Sequence, residues 1–516
     1  MGARVGLAEL VGALSLGVDL GFGQPMEHVL RQCAIALRIG DRVGLDSEQR
    51  SVVYYTALLV NVGCHTDAHE QARWFGDDIG LRSDKYTNGL HGVRSAVSGV
   101  RRLGAGQPAL HRFRIGLNFA WSGHKELDGM IARHASLACA LARELGLPDA
   151  VQDAVAASYE QWDGKGWPGE RHGAAIPVAA RVAQLAEFVE VAHRSGGVED
   201  AAALARRLAG RQFDPELAGA FADAAPELLA GLDHVDAWSQ VIAGEPELSR
   251  PLSEAELDDA LTAIADFVDL KSPYMLGHAR AVAGFAADAS QRLGFDRQAV
   301  TLVRRAALAH GLGRLGVSNA IWDKPGPLGP GERERVRLHP YFTERMLQPS
   351  SALAPVGALA AQVRERLDGS GYPRRLTGVA LSPAARVLAA ADVYRSMLEP
   401  RPHRPSRSVE DASRELRAEV RAGHLDGAAV EAVLAAAGQQ ASTRRQWPAG
   451  LTNREVEVLT LVARGSSSKE IAALLATSPK TVRNHIEHIY VKIGASSRVE
   501  ASLFATKHGL LTDFAA

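Results

Sequence analysis

The chain has 516 residues, a length that allows about three domains, each with a core of its own. Its 58 Lys and Arg residues balance 59 Asp and Glu residues, so no overall charge directs the chain to nucleic acid or membrane. Three scattered cysteines argue against a disulfide framework, and no uncharged apolar run approaches the ~20 residues of a membrane-spanning helix. We therefore expect a cytoplasmic protein whose basic surface is confined to one part of the chain.

Helical periodicity begins near the N-terminus and continues through the chain. Apolar residues recur at spacings of three and four, as in residues 29–37, whereas the alternation typical of strands is nearly absent. Segments rich in Gly, Pro and charge, at residues 244–251 and 441–450, have the composition of linkers. The sequence therefore predicts an all-α fold with at least two interdomain boundaries.

An internal repeat organises most of the chain. The stretch WDGKGWPGERHGAAIPVAARVAQLAEFV from Trp162 aligns without a gap on LDGSGYPRRLTGVALSPAARVLAAADVY from Leu367, 205 residues further on. Upstream the offset becomes 250, which pairs His28 with His278, so the first copy carries an insertion of 45 residues. We therefore predict two copies of one helical domain and a shorter third domain, at residues 1–243, 252–440 and 447–516.

The second copy carries a set of histidine and aspartate motifs. They are GHARAV with His278, AHGLGRLG with His310, LHP with His339, RERLDGSGYP from Arg364 and ADVY with Asp392. On these motifs the second copy resembles the HD-GYP branch of the HD phosphohydrolase family. The resemblance implies a helical bundle in which His and Asp ligands hold two or three metal ions, which activate water to cleave a phosphodiester such as cyclic di-GMP.

The second copy also departs from the family pattern. The retained ligand positions are His278, His310, His339 and Asp392. The aspartate of the family's His-Asp pair is Gly311 here, and its His-His pair is Val363 and Arg364. We therefore assign no catalytic residue and expect no cofactor, while a single divalent ion on three His and one Asp stays open as the alternative.

Arginines beside the former metal site suggest a different role. By the resemblance, Arg314 stands where the family has a lysine, and a guanidinium group can replace a metal as the partner of an anion. The predicted ligand-binding residues are Arg314, Arg364, Asp368 and Tyr372. Two alternatives remain: the arginines neutralise Asp392, and the histidines are hydrogen-bonded core residues inherited from a metal-binding ancestor.

The first copy has lost more of the family pattern. It keeps His28 and His134 and has Glu187 at the aspartate position, but both ligand pairs are replaced, so we expect no metal chemistry. The nearby CHTDAHE stretch places His65 and His69 four residues apart, which on a helix would form a metal cluster. The alternative is that these polar side chains of the insertion are solvated.

The C-terminal stretch LTNREVEVLTLVARGSSSKEIAALLATSPKTVRNHIEHIYVKIGASSRVEASLFATKHGLL is similar over its whole length to the LuxR-type helix-turn-helix family. Thr452 is placed to cap its first helix, and a second helix over residues 469–476 should turn Ile471 and Leu474 inward. Ser478 and Pro479 then begin a third helix. The resemblance implies a four-helix DNA-binding domain whose third helix enters the major groove.

The basic surface expected from the composition lies in this module. Residues 441–516 contain ten Lys or Arg and six Asp or Glu. The resemblance implies that Arg483 and Asn484 face base edges while lysines hold phosphates, and a solvated helix face is the alternative. The predicted DNA-binding residues are Lys469, Ser478, Lys480, Thr481, Arg483, Asn484, Glu487 and Lys492.

Three functions are compatible with this organisation. The preferred interpretation is a homodimeric transcriptional regulator that binds double-stranded DNA and whose HD-type domains sense a signal or a small anionic ligand. The alternative is a metal-dependent phosphodiesterase of the cyclic dinucleotide class with an appended DNA-binding domain. A third is that the helical domains serve only as a scaffold for protein interactions. None of the three requires a membrane.

Overall fold

The structure is a computed structural model that describes residues 5–88, 103–104, 124–232, 236–246, 251–440, 447–475 and 477–511. Within these ranges every regular element is a helix, and β-type contacts are isolated bridges such as that between Gly6 and Pro251. The predicted all-α class is therefore confirmed. The chain divides into two compact units, residues 1–260 and 261–516, and the three domain boundaries remain a proposal.

The first unit is built around a group of mutually packed helices. The helices are α1 (Leu7–Gly21), α2 (His28–Arg42), α3 (Ser47–Leu59), α4 (Ala68–Phe75), α5 (Asp78–Asn88), α6 (His124–Glu144), α7 (Asp149–Ala156), α8 (Val178–Leu208), α9 (Pro215–Leu228) and α10 (Ala237–Ala243). Helix α8 packs against α2, α3 and α9, and its residues from Ala179 to Glu190 are largely buried. A 3-10 turn, Val62–Asp67, joins α3 to α4. These central helices carry the polar groups described below.

The second unit repeats this helical order. Its HD-like part contains α11 (Glu254–Asp269), α12 (His278–Arg292), α13 (Arg297–Ala309), α14 (Asn319–Trp322), α15 (Pro330–Arg337), α16 (His339–Leu347), α17 (Ala354–Ala360), α18 (Pro383–Leu398), α19 (Val409–Arg421) and α20 (Gly427–Gln440). Helix α12 packs on α13, α18 and α20. A 3-10 turn, Leu312–Gly316, follows α13 at the place where Val62–Asp67 follows α3.

Two glycines make the same close backbone contact in both units. A Cβ atom on Gly63 would lie 2.1 Å from the carbonyl oxygen of His134. A Cβ atom on Gly313 would lie 1.9 Å from the carbonyl oxygen of His339. Real Cβ atoms do not approach this closely, so only glycine lets the 3-10 turn meet the helix that carries the paired histidine.

The glycine-rich loops are also held alike. Buried Glu160 accepts hydrogen bonds from the backbone N–H groups of Glu170 and Arg171, at 2.8 and 3.1 Å. Its counterpart Glu365 accepts from Arg374 N at 2.7 Å and from Leu376 N at 2.9 Å. The WDGKGWP and LDGSGYP stretches are therefore ordered loops whose backbone donors are satisfied by a buried carboxylate.

The C-terminal module contains α21 (Asn453–Ala463), α22 (Ser468–Leu474), α23 (Pro479–Ile493) and α24 (Arg498–Lys507). Thr452 caps α21 and Ser478 caps α23, and both predictions are confirmed. Leu474 is 66% exposed, so its predicted inward orientation is wrong. Leu474 is the last residue of α22, and its side chain points outward in the final turn. The predicted helix end at residue 476 lies outside the described residues.

The CHTDAHE prediction needs a correction as well. His65 lies in the 3-10 turn and His69 in α4, so they do not occupy one helix four residues apart. His65 is buried and Glu70 is exposed, and the described residues bring no metal-binding group of three together in this stretch. Among the described residues, no helix combines the length and apolar character needed to cross a membrane.

Candidate functional site

Three buried side chains form the centre of the second unit. His278 is the first residue of α12, His310 directly follows α13, and Asp392 lies in α18. All three are fully buried, and one nitrogen or oxygen atom from each lies within 4.8 Å of the others. The fold thus brings together three of the four predicted metal ligands from separate helices.

His278 connects two carboxylates. Its Nε2 lies 3.1 Å from Asp392 Oδ1, and its Nδ1 lies 2.8 Å from Glu399 Oε2. Burial raises the pKa of Glu399, but His278, Arg395 and Arg401 together outweigh it, so this pKa falls well below its usual range. Glu399 is therefore a buried anion that fixes the ring. Motif comparison did not predict it, because it lies beyond the ADVY motif.

Arg314 occupies the other side of the centre. His310 Nδ1 lies 2.5 Å from the carbonyl oxygen of Ala307, which identifies Nδ1 as the protonated nitrogen. Arg314 Nη2 then donates to His310 Nε2 at 3.0 Å. Burial and the arginine charge both lower the pKa of His310. A guanidinium group thus takes the lone pair through which this imidazole would bind a metal.

The same guanidinium faces a second buried carboxylate. Arg314 Nη1 lies 3.5 Å from Asp269 Oδ1, while Asp269 Oδ2 accepts from the backbone N–H of Ala279. Burial raises the pKa of Asp269 to about 6, although Arg314 opposes the shift. Burial also lowers the pKa of Arg314 to about 10. Position 311 opens onto this pair, because a Cβ on Gly311 would lie 3.4 Å from Arg314 Nη1.

Arg364 neutralises the central aspartate. Its Nη1 lies 3.1 Å from Asp392 Oδ2 and its Nη2 lies 3.4 Å from Oδ1. Burial raises the pKa of Asp392, but Arg364 and His278 outweigh it and hold the pKa well below its usual value. The paired arrangement of nitrogens and oxygens makes Arg364 the main counter-ion of this aspartate.

Several buried polar atoms around the centre have no hydrogen-bond partner among the described residues. They are His339 Nε2, Arg314 Nε and Arg364 Nε, while Arg314 Nη1 and Asp392 Oδ2 have only the ion pairs with Asp269 and Arg364 described above. His339 Nδ1 lies 2.7 Å from the carbonyl oxygen of Val336, and its ring packs edge-on to Trp322 and Tyr372. Burial, Arg314 and Arg364 lower the pKa of His339 to about 3. Buried polar groups are ordinarily hydrogen-bonded in folded proteins, so these atoms distinguish the centre from its surroundings.

The remaining two predicted ligand residues differ in position. Tyr372 lies at the centre, with its ring against His339 and under the guanidinium of Arg337. Asp368 is exposed, and its Oδ1 accepts hydrogen bonds from Ser370 N and Oγ. The structure therefore places Asp368 in a turn and does not bring it to the cluster.

The corresponding centre of the first unit contains a lysine. Lys85 Nζ from α5 donates to Glu187 Oε1 at 2.6 Å and to Asn61 Oδ1 at 2.9 Å. Tyr86 OH donates to the same Glu187 oxygen at 2.8 Å. Burial raises the pKa of Glu187, but Lys85 and Asn61 outweigh it and lower the pKa. His28 Nδ1 pairs with buried Glu190.

Sequence reasoning did not find Lys85. It lies between Cys64 and His134, the stretch in which the first copy carries its 45 additional residues, so the repeat alignment assigned it no partner in the second copy. Its ammonium also lies 4.5 Å from the ring centroid of Phe22 and 4.9 Å from that of Tyr86. This stretch therefore supplies a cation to the centre of the first unit.

A second polar group lies beside His134. His134 Nε2 lies 2.9 Å from Asp67 Oδ2, and nearby Cys64 Sγ lies 2.7 Å from Tyr159 OH. Burial raises the pKa of Cys64, but His134 outweighs it and lowers the thiol pKa below its usual value. By the repeat offset, Cys64 occupies the position of Arg314 and Tyr159 that of Arg364, so the first unit has neither of the two arginines of the second centre at these positions.

The predicted recognition helix presents a polar face. Val482 and Ile489 of α23 are buried, and between them only His485 and Ile486 are partly buried, while the other residues are exposed. The exposed predicted DNA-binding residues are Lys469, Ser478, Lys480, Thr481, Arg483, Asn484, Glu487 and Lys492. Positions 480, 483, 484 and 487 follow helical spacing, so they share one side of α23. This surface is available to a major groove.

Lys492 differs from its neighbours on this helix. Its Nζ lies 2.8 Å from Glu455 Oε2 and 3.3 Å from the carbonyl oxygen of Gly450. Glu455 in turn accepts from Thr452 N and Oγ1, which completes the cap of α21. Lys492 therefore ties α23 to the start of α21, in addition to any contact with phosphate.

Comparison with known families agrees with this geometry. The HD domain model matches residues 124–217 and 262–429, and the model of bacterial regulatory proteins of the luxR family matches residues 449–505. The protein is an HD domain protein with a C-terminal LuxR-family domain. The family suspected from the sequence motifs is thus confirmed in both parts of the chain.

Individual relatives support the assignment. The HD domain protein is 32% identical to 3'3'-cGAMP-specific phosphodiesterase 3 of Vibrio cholerae over 79% of this chain and 89% of that protein. It also resembles the crystal structure of a cyclic GMP-AMP-specific phosphodiesterase of V. cholerae, with a TM-score of 0.58, 27% identity and coverage of 84% and 98% of the two chains. Its C-terminal 60-residue match, at 48% identity, is to the transcriptional regulatory protein YhcZ of Bacillus subtilis, covering 12% of this chain and 28% of YhcZ.

The HD family uses metal ions, so the side chains at the centre of the second HD domain can be compared with the ligands that one or two ions require. His278, His310 and Asp392 offer ligand atoms close enough for one divalent ion. A dinuclear centre does not fit, because Gly311 supplies no carboxylate and Arg364 places a cation on Asp392. As the side chains stand, guanidinium groups hold His310 and Asp392, and a single ion would have to displace Arg314.

Proposed function

We propose that this HD domain protein is a DNA-binding transcriptional regulator whose second HD domain binds an anionic phosphodiester ligand without cleaving it. The observation that carries the proposal is the hydrogen bond from Arg314 to His310 Nε2. This bond removes a metal ligand and adds positive charge at the same place. The domain thereby loses the means to activate water and gains a group that recognises phosphate.

The chemistry of the centre supports an anion. The Nε groups of Arg314 and Arg364 are buried without hydrogen-bond partners among the described residues, and Arg314 Nη1 has only Asp269 Oδ1, at 3.5 Å. Guanidinium groups bind phosphate oxygens through such paired donors. Relatives of the HD part are named for 3'3'-cGAMP or cyclic di-GMP, which supports a cyclic dinucleotide as the ligand class.

The C-terminal domain supports the second half of the proposal. Its exposed residues Arg483 and Asn484 lie where a helix-turn-helix protein contacts bases, and the LuxR family consists of regulatory proteins. We propose that the protein acts as a homodimer on two half-sites, because one recognition helix reads only a few base pairs.

A second candidate function is hydrolysis of the same ligand class. Its support is the spacing of His278, His310 and Asp392, together with the phosphodiesterase names of the relatives. It requires that a metal displace the Arg314 guanidinium from His310. The two functions make opposite demands on Arg364, which would assist binding in a regulator and obstruct a metal centre in an enzyme.

Metal content and turnover distinguish the candidates. The full-length protein, expressed with iron, manganese and zinc, is analysed by elemental mass spectrometry and then titrated with 3'3'-cGAMP by calorimetry, with products followed by chromatography. We expect binding without turnover, and loss of binding in Arg364→Ala. Arg374→Ala is the matched control, since Arg374 is exposed in the same loop and pairs with Glu344. Turnover that depends on metal and disappears in Asp392→Asn would replace the proposal with the enzyme.

A further inference from the structure

The C-terminal domain contacts the segment that leads into the site. This segment, residues 273–277, directly precedes His278. A Cβ on Gly277 would lie 3.7 Å from Thr506 Cγ2 and 3.9 Å from Leu511 Cβ, and a Cβ on Gly465 would lie 3.9 Å from Pro273 Cβ. Thr506 and Leu511 are 1% and 3% exposed. The end of α24 and the turn after α21 therefore dock on the edge of the second HD domain.

Polar contacts join this docking segment to the centre. Glu399, which holds His278 Nδ1, accepts from Arg401 Nη2 at 2.9 Å. Arg401 Nη1 also donates to the carbonyl oxygen of Tyr274 at 2.9 Å. One arginine thus links the anion that orients His278 to the backbone on which the C-terminal domain rests.

A charge of the C-terminal domain lies near the same anion. Arg464 donates through Nη2 to the carbonyl oxygen of Leu511 at 3.2 Å. Burial lowers the pKa of Arg464, Arg395 lowers it further and Glu399 raises it. Arg464 therefore lies within electrostatic reach of the two residues beside His278, one repelling and one attracting it.

The docked position leaves the predicted DNA-binding face of α23 exposed. Arg483, Asn484 and Glu487 are exposed while residues 506 and 511 are buried in the contact. The docked position is thus compatible with DNA, and a change in docking alters the placement of the recognition helix without covering it.

We propose that residues 273–277 form a docking surface for the C-terminal domain of the same chain, and that an anion bound at the His278–Asp392 centre strengthens this docking. The second part rests on the proposed function. A bound anion holds the centre in one arrangement, and the hydrogen bonds from His278 through Glu399 and Arg401 to the carbonyl oxygen of Tyr274 then fix the segment on which the C-terminal domain rests. Linkage then requires that docking raise the affinity for the anion by the same factor.

A disulfide pair measures docking directly. Pro273→Cys and Gly465→Cys place Cβ atoms 3.9 Å apart, within the separation that a disulfide spans. Gly465 has a φ of +91°, so circular dichroism of Gly465→Cys alone checks that the turn still forms with a side chain at this position. The full-length variant is treated with oxidised glutathione, and formation of the 273–465 crosslink is timed by peptide mass spectrometry, which separates it from products of the three native cysteines. The control combines Pro273→Cys with Val491→Cys, because Val491 is 83% exposed on α23.

The first result concerns the surface. The 273–465 crosslink should form readily in the protein without added ligand, and the control pair should not. Equal rates for the two pairs would overturn the docking surface.

The second result concerns coupling. With saturating 3'3'-cGAMP, whose binding is measured separately by calorimetry, crosslinking should be about fivefold faster or more. An unchanged rate with the probe bound overturns the coupling and leaves the proposed function intact.

If 3'3'-cGAMP does not bind, the proposed ligand class fails, and two charge variants still decide the coupling. Glu399→Gln and Asp392→Asn each remove a carboxylate that holds His278, so each weakens the hydrogen-bond chain to the docking segment and should slow the crosslink. Circular dichroism identifies whichever variant remains folded, and an unchanged rate in that variant overturns the coupling.

Discussion

Arg314 Nη2 lies 3.0 Å from His310 Nε2, so a fixed side-chain cation stands where the lone pair of this histidine would face a metal. The first unit makes an equivalent replacement with Lys85, whose Nζ lies 2.6 Å from Glu187 Oε1. A buried carboxylate needs a nearby positive charge, and both centres obtain it from the chain itself. The two replacements differ in consequence: Lys85 donates to both Glu187 and Asn61, whereas Arg314 Nε has no hydrogen-bond acceptor among the described residues.

Restoring the missing carboxylate should restore metal binding in the second unit. A Cβ atom at position 311 would lie 3.4 Å from Arg314 Nη1. Gly311→Asp is therefore combined with Arg314→Lys, because the shorter lysine leaves room for the aspartate and frees His310. We expect the double variant to hold about one more divalent ion per chain than the natural sequence. Elemental mass spectrometry of the purified, undenatured protein measures this directly.

The control for this reconstruction is Gly311→Asn with Arg314→Lys. Asparagine has the shape of aspartate but lacks its charge, so its metal content should stay at the starting value. Equal metal in both double variants would mean that removal of Arg314, and not the carboxylate, admits the ion.

Removing Lys85 should destabilise the first unit. In Lys85→Met, Glu187 keeps its neutral donors from Asn61 and Tyr86 but loses its cation while only 3% exposed. Loss of one partner of a buried ion pair costs about 3–5 kcal/mol of unfolding free energy. Urea unfolding, followed by hydrogen exchange in peptides of α2 and α8, reports the loss.

Glu187→Gln provides the matched test for Lys85. Combined with Lys85→Met, it removes the unpaired charge, so the double variant should recover most of the lost stability. Additive losses would show that Lys85 contributes through packing against Phe22 and not through the carboxylate.

Local sequence patterns predicted many of the helices and their caps. Contacts between residues that depend on side-chain direction could not be predicted in this way. The caps at Thr452 and Ser478 are confirmed because capping depends on residues three positions away, which sequence spacing displays. The predicted burial of Leu474 is wrong because the residue is the last of its helix, where the three- and four-residue spacing of buried positions no longer applies. Motif comparison revealed the loss of aspartate at Gly311, but the hydrogen bond from Arg314 to His310 depends on a side-chain direction that motif spacing does not encode.

The cap of α21 predicts a pH dependence in the C-terminal domain. Burial raises the pKa of Glu455, but hydrogen bonds from Lys492 and Thr452 outweigh it and lower the pKa to about 2 from the usual 4.5. A carboxyl group whose pKa is lower in the folded state stabilises at pH above 4.5, and this contribution is lost as the pH falls toward 2. Because Lys492 is one-third exposed, the contribution is about 1 kcal/mol or less.

Hydrogen exchange of residues 453–463 in the full chain tests the cap. Glu455→Gln should reduce protection at pH 6 and reduce it less at pH 3, where the unfolded-state carboxyl of the natural protein is protonated. Comparison at each pH cancels the intrinsic exchange rates. A difference that is the same at both pH values would assign the role of Glu455 to packing alone.

The recognition face makes the most direct prediction for DNA. Arg483 is exposed on α23, one turn beyond the Ser478 cap, and can reach a base edge once the helix enters the groove. Arg483→Ala should cost about 1–3 kcal/mol of binding to the operator and relax its sequence preference. Lys480→Ala is the comparison, because loss of a phosphate contact should weaken all sequences alike and lower the salt dependence by about one counterion. Fluorescence anisotropy with operator and scrambled DNA at several salt concentrations separates the two effects. Unchanged operator affinity in Arg483→Ala would mean that another face of the C-terminal domain meets the DNA.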